Sequence, residues 1–348
     1  MHTLIAKIAA GQKTSKDLTW EEAKRAMRAL IEREATPAQV GAFLAAMRWK
    51  GESVSELAAF TATAREYVPP LSIATSRPVI DLPLYAGKQE TFHVSVAAAI
   101  VAAAAGVAVL LHGHDSAAER SGVPGVLAAL GVPVDLSPAQ VADAVGTKGV
   151  GYLDLALYHP PLARFLDLRA ELGVRTVIHP VVKLLNPARA KAQLIGVTHP
   201  PYLEKTAEAV KMLGGKRALI VRGVDGEPEL SIASATRLLD VTDDRVVPLL
   251  LQPKDLGLAA GTARDMAHIP AGPAEEAALL RRIIQNDARG GARDWVVQNA
   301  ALLIYAAGLS NTIAAAVPIA ARTIDSGAAR EKLTALATAP SEIAQGIR

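Results

Sequence analysis

Two short stretches bracket an alanine-rich run and hold many of the side chains able to do chemistry. Lys88, His93 and Ser95 stand at its head, while His112, His114 and Asp115 follow its end at Leu111. A helix opening at Ser95 presents unpaired N–H groups and partial positive charge, so an anion is its natural occupant and Lys88 would strengthen the attraction. Each histidine alone reads more readily as a backbone-bonded core residue than as a functional one, and Ser95 can be a plain N-cap. Three histidines from two loops raise a zinc site, but no close cluster of carboxylates accompanies them.

A second group follows along the chain: Arg164, Arg169, Arg175, His179 and Lys183, some of them flanking apolar runs where a cation is costly without an anion or carboxylate beside it. A phosphate could be that anion, or Asp167 and Glu171 could pair with the arginines on a helix surface. A third group is the turn Arg222-Gly223-Val224-Asp225-Gly226-Glu227-Pro228-Glu229. Acidic turns of this kind can hold Mg²⁺ beside a diphosphate, and many hold no metal. Pro228 supplies no ligand between its two glutamates.

These groups need a scaffold. Thr19 with Glu22, Thr36-Pro37 and Ser53 each mark a helix start, giving helices to about Arg33, Gly51 and Tyr67 and an all-helical unit over residues 1–70. Beyond the proline-bearing stretch Pro69 to Pro78, β-branched runs alternate with helical patterns. The runs are Val79-Ile80, Val107 to Leu111, Val132 to Val134, Arg175 to Ile178, Leu194 to Val197, Ala218 to Val221 and Val246 to Leu251. Helical patterns fall at 138–145, 161–172, 202–213, 274–286, 293–308 and 318–328, with 257–272 as a loop. The expected fold is α/β: a small helical domain over 1–70 and a larger domain over 71–348 with a mostly parallel sheet, residues 160–190 packing on the helical unit.

Composition bounds the rest. With 348 residues, 51% of them hydrophobic, the chain can bury a large core, while only 4% are aromatic. Few rings are therefore offered for stacking bases. A net charge of +3 permits phosphate or nucleic-acid binding without requiring it. The absence of cysteine excludes disulfides, zinc-thiolate and iron-sulfur sites and thiol nucleophiles, and agrees with a cytoplasmic protein. The first residues do not read as a secretory signal. The uncharged run Val94 to Leu111 reads as a buried helix and strand broken at Gly106 rather than a membrane span.

Several motifs, taken together, resemble the anthranilate phosphoribosyltransferase family (glycosyltransferase family 3) over nearly the whole chain. They are Glu34 to Val40, Met47-Arg48-Trp49-Lys50-Gly51-Glu52, Ser121-Gly122 with Val126 to Val132, and Asn299-Ala300-Ala301 with Tyr305 to Gly308. The resemblance implies a helical domain hinged to an α/β domain of the nucleoside phosphorylase and phosphoribosyltransferase fold. It also implies homodimers formed through the helical part and substrates in the cleft. The family's Gly-Thr-Gly-Gly-Asp loop, which wraps the pyrophosphate of phosphoribosyl pyrophosphate, is replaced by Leu84-Tyr85-Ala86-Gly87-Lys88. Its Lys-His-Gly-Asn becomes Leu111-His112-Gly113-His114, and its Asp-Glu magnesium pair becomes Pro228-Glu229. Ser95, His112, Arg169 and Glu229 match functional positions.

The variant motifs, with His179 and Lys183 and the stretch Thr198 to Tyr202, resemble instead the YbiB-type branch, whose members bind DNA and RNA through a basic groove. The resulting expectation is a protein that is not an anthranilate phosphoribosyltransferase. Its degenerate cleft would bind single-stranded DNA, RNA or another phosphate-rich ligand through Lys88, Arg169, Arg175 and Lys183, with His93, His112, His114 and His179 hydrogen-bonding. The alternative is a Mg²⁺-dependent phosphoribosyl or glycosyl transferase with an altered substrate, Ser95 and Glu229 holding the metal.

Overall fold

The computed structural model describes residues 1–11, 13–85, 91–115, 122–243, 245–262 and 272–337. Helices α1 (His2–Ile8), α2 (Trp20–Ile31), α3 (Pro37–Lys50) and α4 (Val54–Glu66) form the N-terminal unit. The last three start where the sequence places them. Thr19, Thr36 and Ser53 each accept from the backbone N–H three residues on, and Glu22, Gln39 and Glu56 reciprocate as capping boxes. On α3 the apolar stripe Val40, Phe43, Leu44 and Met47 is buried, as its helical spacing requires.

Seven strands follow: β1 (Val79–Leu84), β2 (Ala108–Gly113), β3 (Val150–Asp154), β4 (Ala192–Gly196), β5 (Arg217–Gly223), β6 (Thr236–Thr242) and β7 (Val246–Leu251). They form one sheet in the order β3-β2-β1-β4-β5-β6-β7. Pairing is parallel from β3 through β5 and antiparallel at β6 and β7. The chain builds outward from β1 to β2 and β3, then returns to add β4 on β1's other side. The switch between β1 and β4 opens a crevice at the carboxyl ends of the strands, where α/β sheets hold ligands.

Two apolar cores lie on opposite faces of the sheet. One packs helix α5 (Val94–Ala104) and the helix Gly291–Ala306 against Val109, Leu111 and Leu219. The other joins Leu30, Phe43 and Phe60 of the helical unit through Val177, Val182 and Leu185 to Leu110, Ile195 and Ile220 of the sheet. Arg65 fastens that junction, donating to the carbonyls of Leu184 at 2.7 Å and Leu185 at 3.0 Å. Among the described residues no helix is long and apolar enough to cross a membrane.

Two expected strands are not strands. Residues 132–134 form a connection, and Arg175 to Ile178 lead into the helix Ile178–Lys183, whose β-branched residues are buried at Ile178, Val181 and Val182. β3 and β6 carry the pairing instead. The closing helix begins earlier than expected, at Ile313, with Pro318 inside it, and part of the 257–272 loop lies outside the described residues.

Candidate functional site

The crevice at the β1/β4 switch is lined by Leu84, His93, Ser95, Lys183, Gly196 and Glu229 among others and encloses about 530 Å³ with its mouth. Ser95 stands in the first turn of α5, and His93, not Ser95, occupies the N-cap position. The Ser95 hydroxyl is turned to Glu229 instead and donates to Oε1 at 2.7 Å, with both side chains buried. Glu229 is held in place from behind. The next residue, Leu230, donates its N–H to Asn299 Oδ1 at 2.9 Å, and its carbonyl accepts from Trp295 Nε1 at 2.6 Å and Gln298 Nε2 at 3.0 Å. Gly196 lets this segment cross β4, because a Cβ there would stand 2.2 Å from the Pro228 carbonyl oxygen.

His93 is buried beside the first turn of the helix Pro273–Ile284. Its backbone N–H donates to Glu276 Oε1 at 2.5 Å, and its Nδ1 lies 2.7 Å from the same oxygen. The Nε2 atom is buried and finds no hydrogen-bond partner among the described residues. Glu276 is missed by sequence reasoning. It sits far along the chain and carries no local motif, so only the tertiary fold brings it to His93.

A second pocket adjoins the first through Lys183, which lines both and donates to the Gly196 carbonyl at 2.6 Å. It also encloses about 530 Å³, between Arg48 of α3, Arg175, His179 and Tyr202, over a floor of Ile195 and Val197. The His179 Nδ1 lies 3.1 Å from the Thr176 backbone nitrogen, which donates to it. Burial, with Arg175, Arg169 and Lys183 nearby, lowers the His179 imidazole to about 3. It therefore offers a hydrogen bond and no charge. His199 is lowered for the same reasons, burial first and then Arg175 and Arg48.

The other expected residues divide. His112 is fully buried away from the lining of both pockets. Its Nδ1 contacts the Tyr85 hydroxyl at 2.9 Å and the Tyr158 hydroxyl at 3.1 Å, and its Nε2 lies 3.1 Å from Asp81. As a residue of even register on β2 it points into the core under the helical unit, which corrects its expected place in the cleft. His114 meets Asp167 at 3.0 Å and Asp154 at 3.5 Å. Burial would lower its imidazole, but the hydrogen bonds and charges of Asp154 and Asp167 outweigh that and raise it. Arg169 begins a short helix outside both linings, and its charge reaches His179. Lys88 lies outside the described residues. The three histidines thus take separate carboxylate partners rather than one metal, and no group of three metal-ligating side chains occurs among the described residues. Ser95 and Glu229 are oxygen donors of the type Mg²⁺ takes alongside waters and substrate phosphates, so the pair fits that ion when a diphosphate completes the shell.

The sequence matches the family described as glycosyl transferase family, helical bundle domain, over residues 2–68, and its a/b domain over residues 87–330. It is 37% identical over 347 residues to the anthranilate phosphoribosyltransferase of Thermomicrobium roseum, covering 99% of this chain and 98% of that one. Among solved structures, the anthranilate phosphoribosyltransferase (TrpD) of Thermus thermophilus superposes with a TM-score of 0.86 at 34% identity, over 96% of this chain and 98% of the other. The Saccharomyces cerevisiae anthranilate phosphoribosyltransferase in complex with PRPP and Mg shares the fold, with a TM-score of 0.83 at 21% identity over 96% of each chain.

Likeness of this extent to proteins named for the transferase overturns the expectation of a degenerate, nucleic-acid-binding relative. The altered glycine loop and Pro228 change the local sequence around the cleft, while Ser95 and Glu229 still meet there in a 2.7 Å hydrogen bond. The cations near Lys183 also enclose a small apolar-floored pocket, a poor match to an extended polyanion.

Proposed function

We propose, from the premise that this chain belongs to the glycosyl transferase family of helical-bundle and a/b domains, that it is a Mg²⁺-dependent phosphoribosyltransferase. The acceptor is a small aromatic amine carrying a carboxylate, of which anthranilate is the first to test. One observation carries this reading. The Ser95–Glu229 pair opens a helix at the β1/β4 switch, and a cation-rimmed, apolar-floored pocket shares Lys183 with it.

The division of labour follows from the two pockets. The head of α5 offers backbone N–H groups and its positive dipole end to the diphosphate of phosphoribosyl pyrophosphate. Ser95 and Glu229 hold Mg²⁺, which when bound neutralises diphosphate charge and polarises the leaving oxygen. Lys183 sits between donor and acceptor. Ile195 and Val197 bury the acceptor ring while Arg175 and Arg48 draw its carboxylate, which leaves the amine facing the ribose. The amine lone pair then forms the bond to the anomeric carbon as the bond to diphosphate breaks, its electron pair leaving on the diphosphate oxygen. Catalysis comes from positioning and from stabilising charge on a cation-like sugar.

The same reading takes the chain as cytoplasmic, in agreement with its lack of cysteine, and as paired through the helical unit, where Trp49 is 81% exposed. The test is turnover of phosphoribosyl pyrophosphate with anthranilate, followed by loss of anthranilate fluorescence and by diphosphate release. Metal-dependent turnover abolished by chelator is expected. Absence of turnover with anthranilate and with ring-substituted anthranilates would sink the reading.

A further inference from the structure

The far end of the sheet carries a further concavity. Val79, Ala192 and Arg217, the first residues of β1, β4 and β5, lie side by side there, opposite the carboxyl ends that form the crevice. With the connections leading into those strands they enclose about 1320 Å³, mouth included. Five cations line this groove, Arg77, Arg189, Lys191, Lys216 and Arg217, and no carboxylate does. Apolar side chains including Ile73, Pro78 and Val79 supply much of the remaining wall. A cleft lined by one sign of charge over low-dielectric walls focuses its field on an ion of the opposite sign.

Elsewhere the surface cations of this chain are paired. Arg28 meets Glu66 at 3.0 Å, Arg237 meets Glu204 at 2.9 Å and Arg293 meets Asp325 at 2.8 Å. In the groove Arg217 is engaged, donating to the Ala306 carbonyl at 3.2 Å and lying 3.8 Å from Asp240. Arg189, Lys191 and Lys216 are exposed and have no ion pair among the described residues. The placement of Arg189 is built into the fold. Asn186, buried, donates to the Ala190 carbonyl at 2.9 Å and accepts from the Ala190 N–H at 2.8 Å, which clamps the turn. Asn186 and Arg189 both take left-handed backbone in it, with φ of 46° and 49°, a conformation asparagine tolerates and arginine does not favour. Arg189 also lines the neighbouring concavity beside Arg65. Burial lowers the Arg65 guanidinium to about 10, with Asp81 raising it and the charge of Arg189 lowering it. Like charges converging without counter-charges repel one another, and a bound anion relieves that repulsion.

We propose that this groove binds a small anion bearing several phosphate groups, held by Arg189, Lys191 and Lys216, with the charges of Arg77 and Arg217 adding to theirs. The cations come from three connections that converge on one concavity, before β1, before β4 and at the start of β5, so a compact cluster of negative charge fits them. Guanidinium and ammonium groups both suit phosphate oxygens. Inorganic tripolyphosphate and a nucleoside triphosphate share that chemistry, and the apolar wall suits the nucleoside of the second. The groove lies at the opposite end of the sheet from the Ser95–Glu229 crevice, so it stands or falls independently of the transferase reading.

The experiment is titration calorimetry on the full chain with inorganic tripolyphosphate and, separately, adenosine triphosphate, in chelator so that metal-dependent binding in the crevice is silent. One anion per chain is expected, bound more weakly as salt rises. Affinity should fall about 10- to 50-fold in the double variant Arg189→Gly with Lys191→Gln, the scale for losing two charge-assisted contacts at an exposed site. Glycine keeps the left-handed turn at position 189, so the thermal midpoint should hold and separate lost binding from lost folding. Lys216→Gln alone should weaken binding less, and Lys183→Gln, in the crevice, should leave it unchanged. Equal affinity for the two probes supports a site that reads phosphates alone, and tighter adenosine triphosphate binding supports one that also uses its apolar wall. Binding that survives in the folded double variant, or that is lost in Lys183→Gln, would place the anion elsewhere and overturn the proposal. Absence of binding by either probe at low salt would overturn it as well.

Discussion

His93 and His112 are both buried imidazoles next to a carboxylate, and the fold uses them in opposite ways. His112 turns both nitrogens to protein inside the core beneath the helical unit: Nδ1 contacts the Tyr85 and Tyr158 hydroxyls, and Nε2 lies 3.1 Å from Asp81 without a formed hydrogen bond. His93 spends one nitrogen on Glu276 and leaves the other facing the crevice. Pairing with a carboxylate therefore does not mark function. What marks it is whether the remaining nitrogen meets protein or cavity.

The comparison breaks most visibly at His112. Replacing it with leucine takes the imidazole from beside buried Asp81 and removes the ring partner of the Tyr85 and Tyr158 hydroxyls, and leaving a buried polar group without its partner costs about 1–3 kcal/mol. Chemical denaturation should show that loss, while kcat per folded molecule stays close to wild type. A large fall in kcat with unchanged stability would return His112 to the site.

On the crevice side the balance should reverse. Glu229→Ala should lower kcat by about 10²- to 10³-fold, the scale for losing one preorganised electrostatic contact in the transition state. Unfolding free energy should change by about 1 kcal/mol or less, because the Leu230 clamp by Asn299, Trp295 and Gln298 keeps the segment in place. A comparable loss of stability would mean that the Ser95–Glu229 bond serves the fold. Arg175→Gln should act more mildly, raising KM for the aromatic acceptor about tenfold with kcat little changed, as expected when one charge-assisted contact is lost from binding. Steady-state kinetics separate these outcomes, and a change confined to phosphoribosyl pyrophosphate would move Arg175 to the other pocket.

How legible each element is depends on the range of its interactions. The capping boxes at Thr19, Thr36 and Ser53 are local, and so are readable in the sequence. β3 is not, because Val150-Gly151-Tyr152-Leu153-Asp154 carries a glycine mid-strand, forced by the Val141 carbonyl oxygen that a Cβ would approach to 2.9 Å. Arg175 to Ile178 reads as a strand because its residues are β-branched, yet tertiary packing makes the following segment helical. At the site, Ser95 and Glu229 are legible by resemblance, and their hydrogen bond is not. The Glu276 contact to His93 spans both helix heads and leaves no trace in any local pattern.

The smallest expected effect sharpens the contrast with a third, half-buried imidazole, His179, which has backbone for a partner instead of a carboxylate. Burial and the nearby arginines hold it down to about 3 in the folded protein, whereas in the unfolded chain it titrates near about 6.5. Below that value the unfolded chain binds a proton that the folded one refuses, so the stability tied to His179 is present above about pH 6.5 and declines as the pH falls. Between about pH 6.5 and 5.5 the linkage amounts to about 1 kcal/mol. His159, lowered by burial to about 4, adds in the same direction. His114, raised by Asp154 and Asp167 against its burial, contributes stability below its unfolded value that is lost as pH rises through the folded one. His179→Gln should therefore flatten the decline in unfolding free energy across that window by the His179 share, leaving the His159 and His114 contributions. An unchanged slope would mean that His179 takes up a proton in the folded state, and the second pocket would then carry a cation where its geometry places a neutral ring.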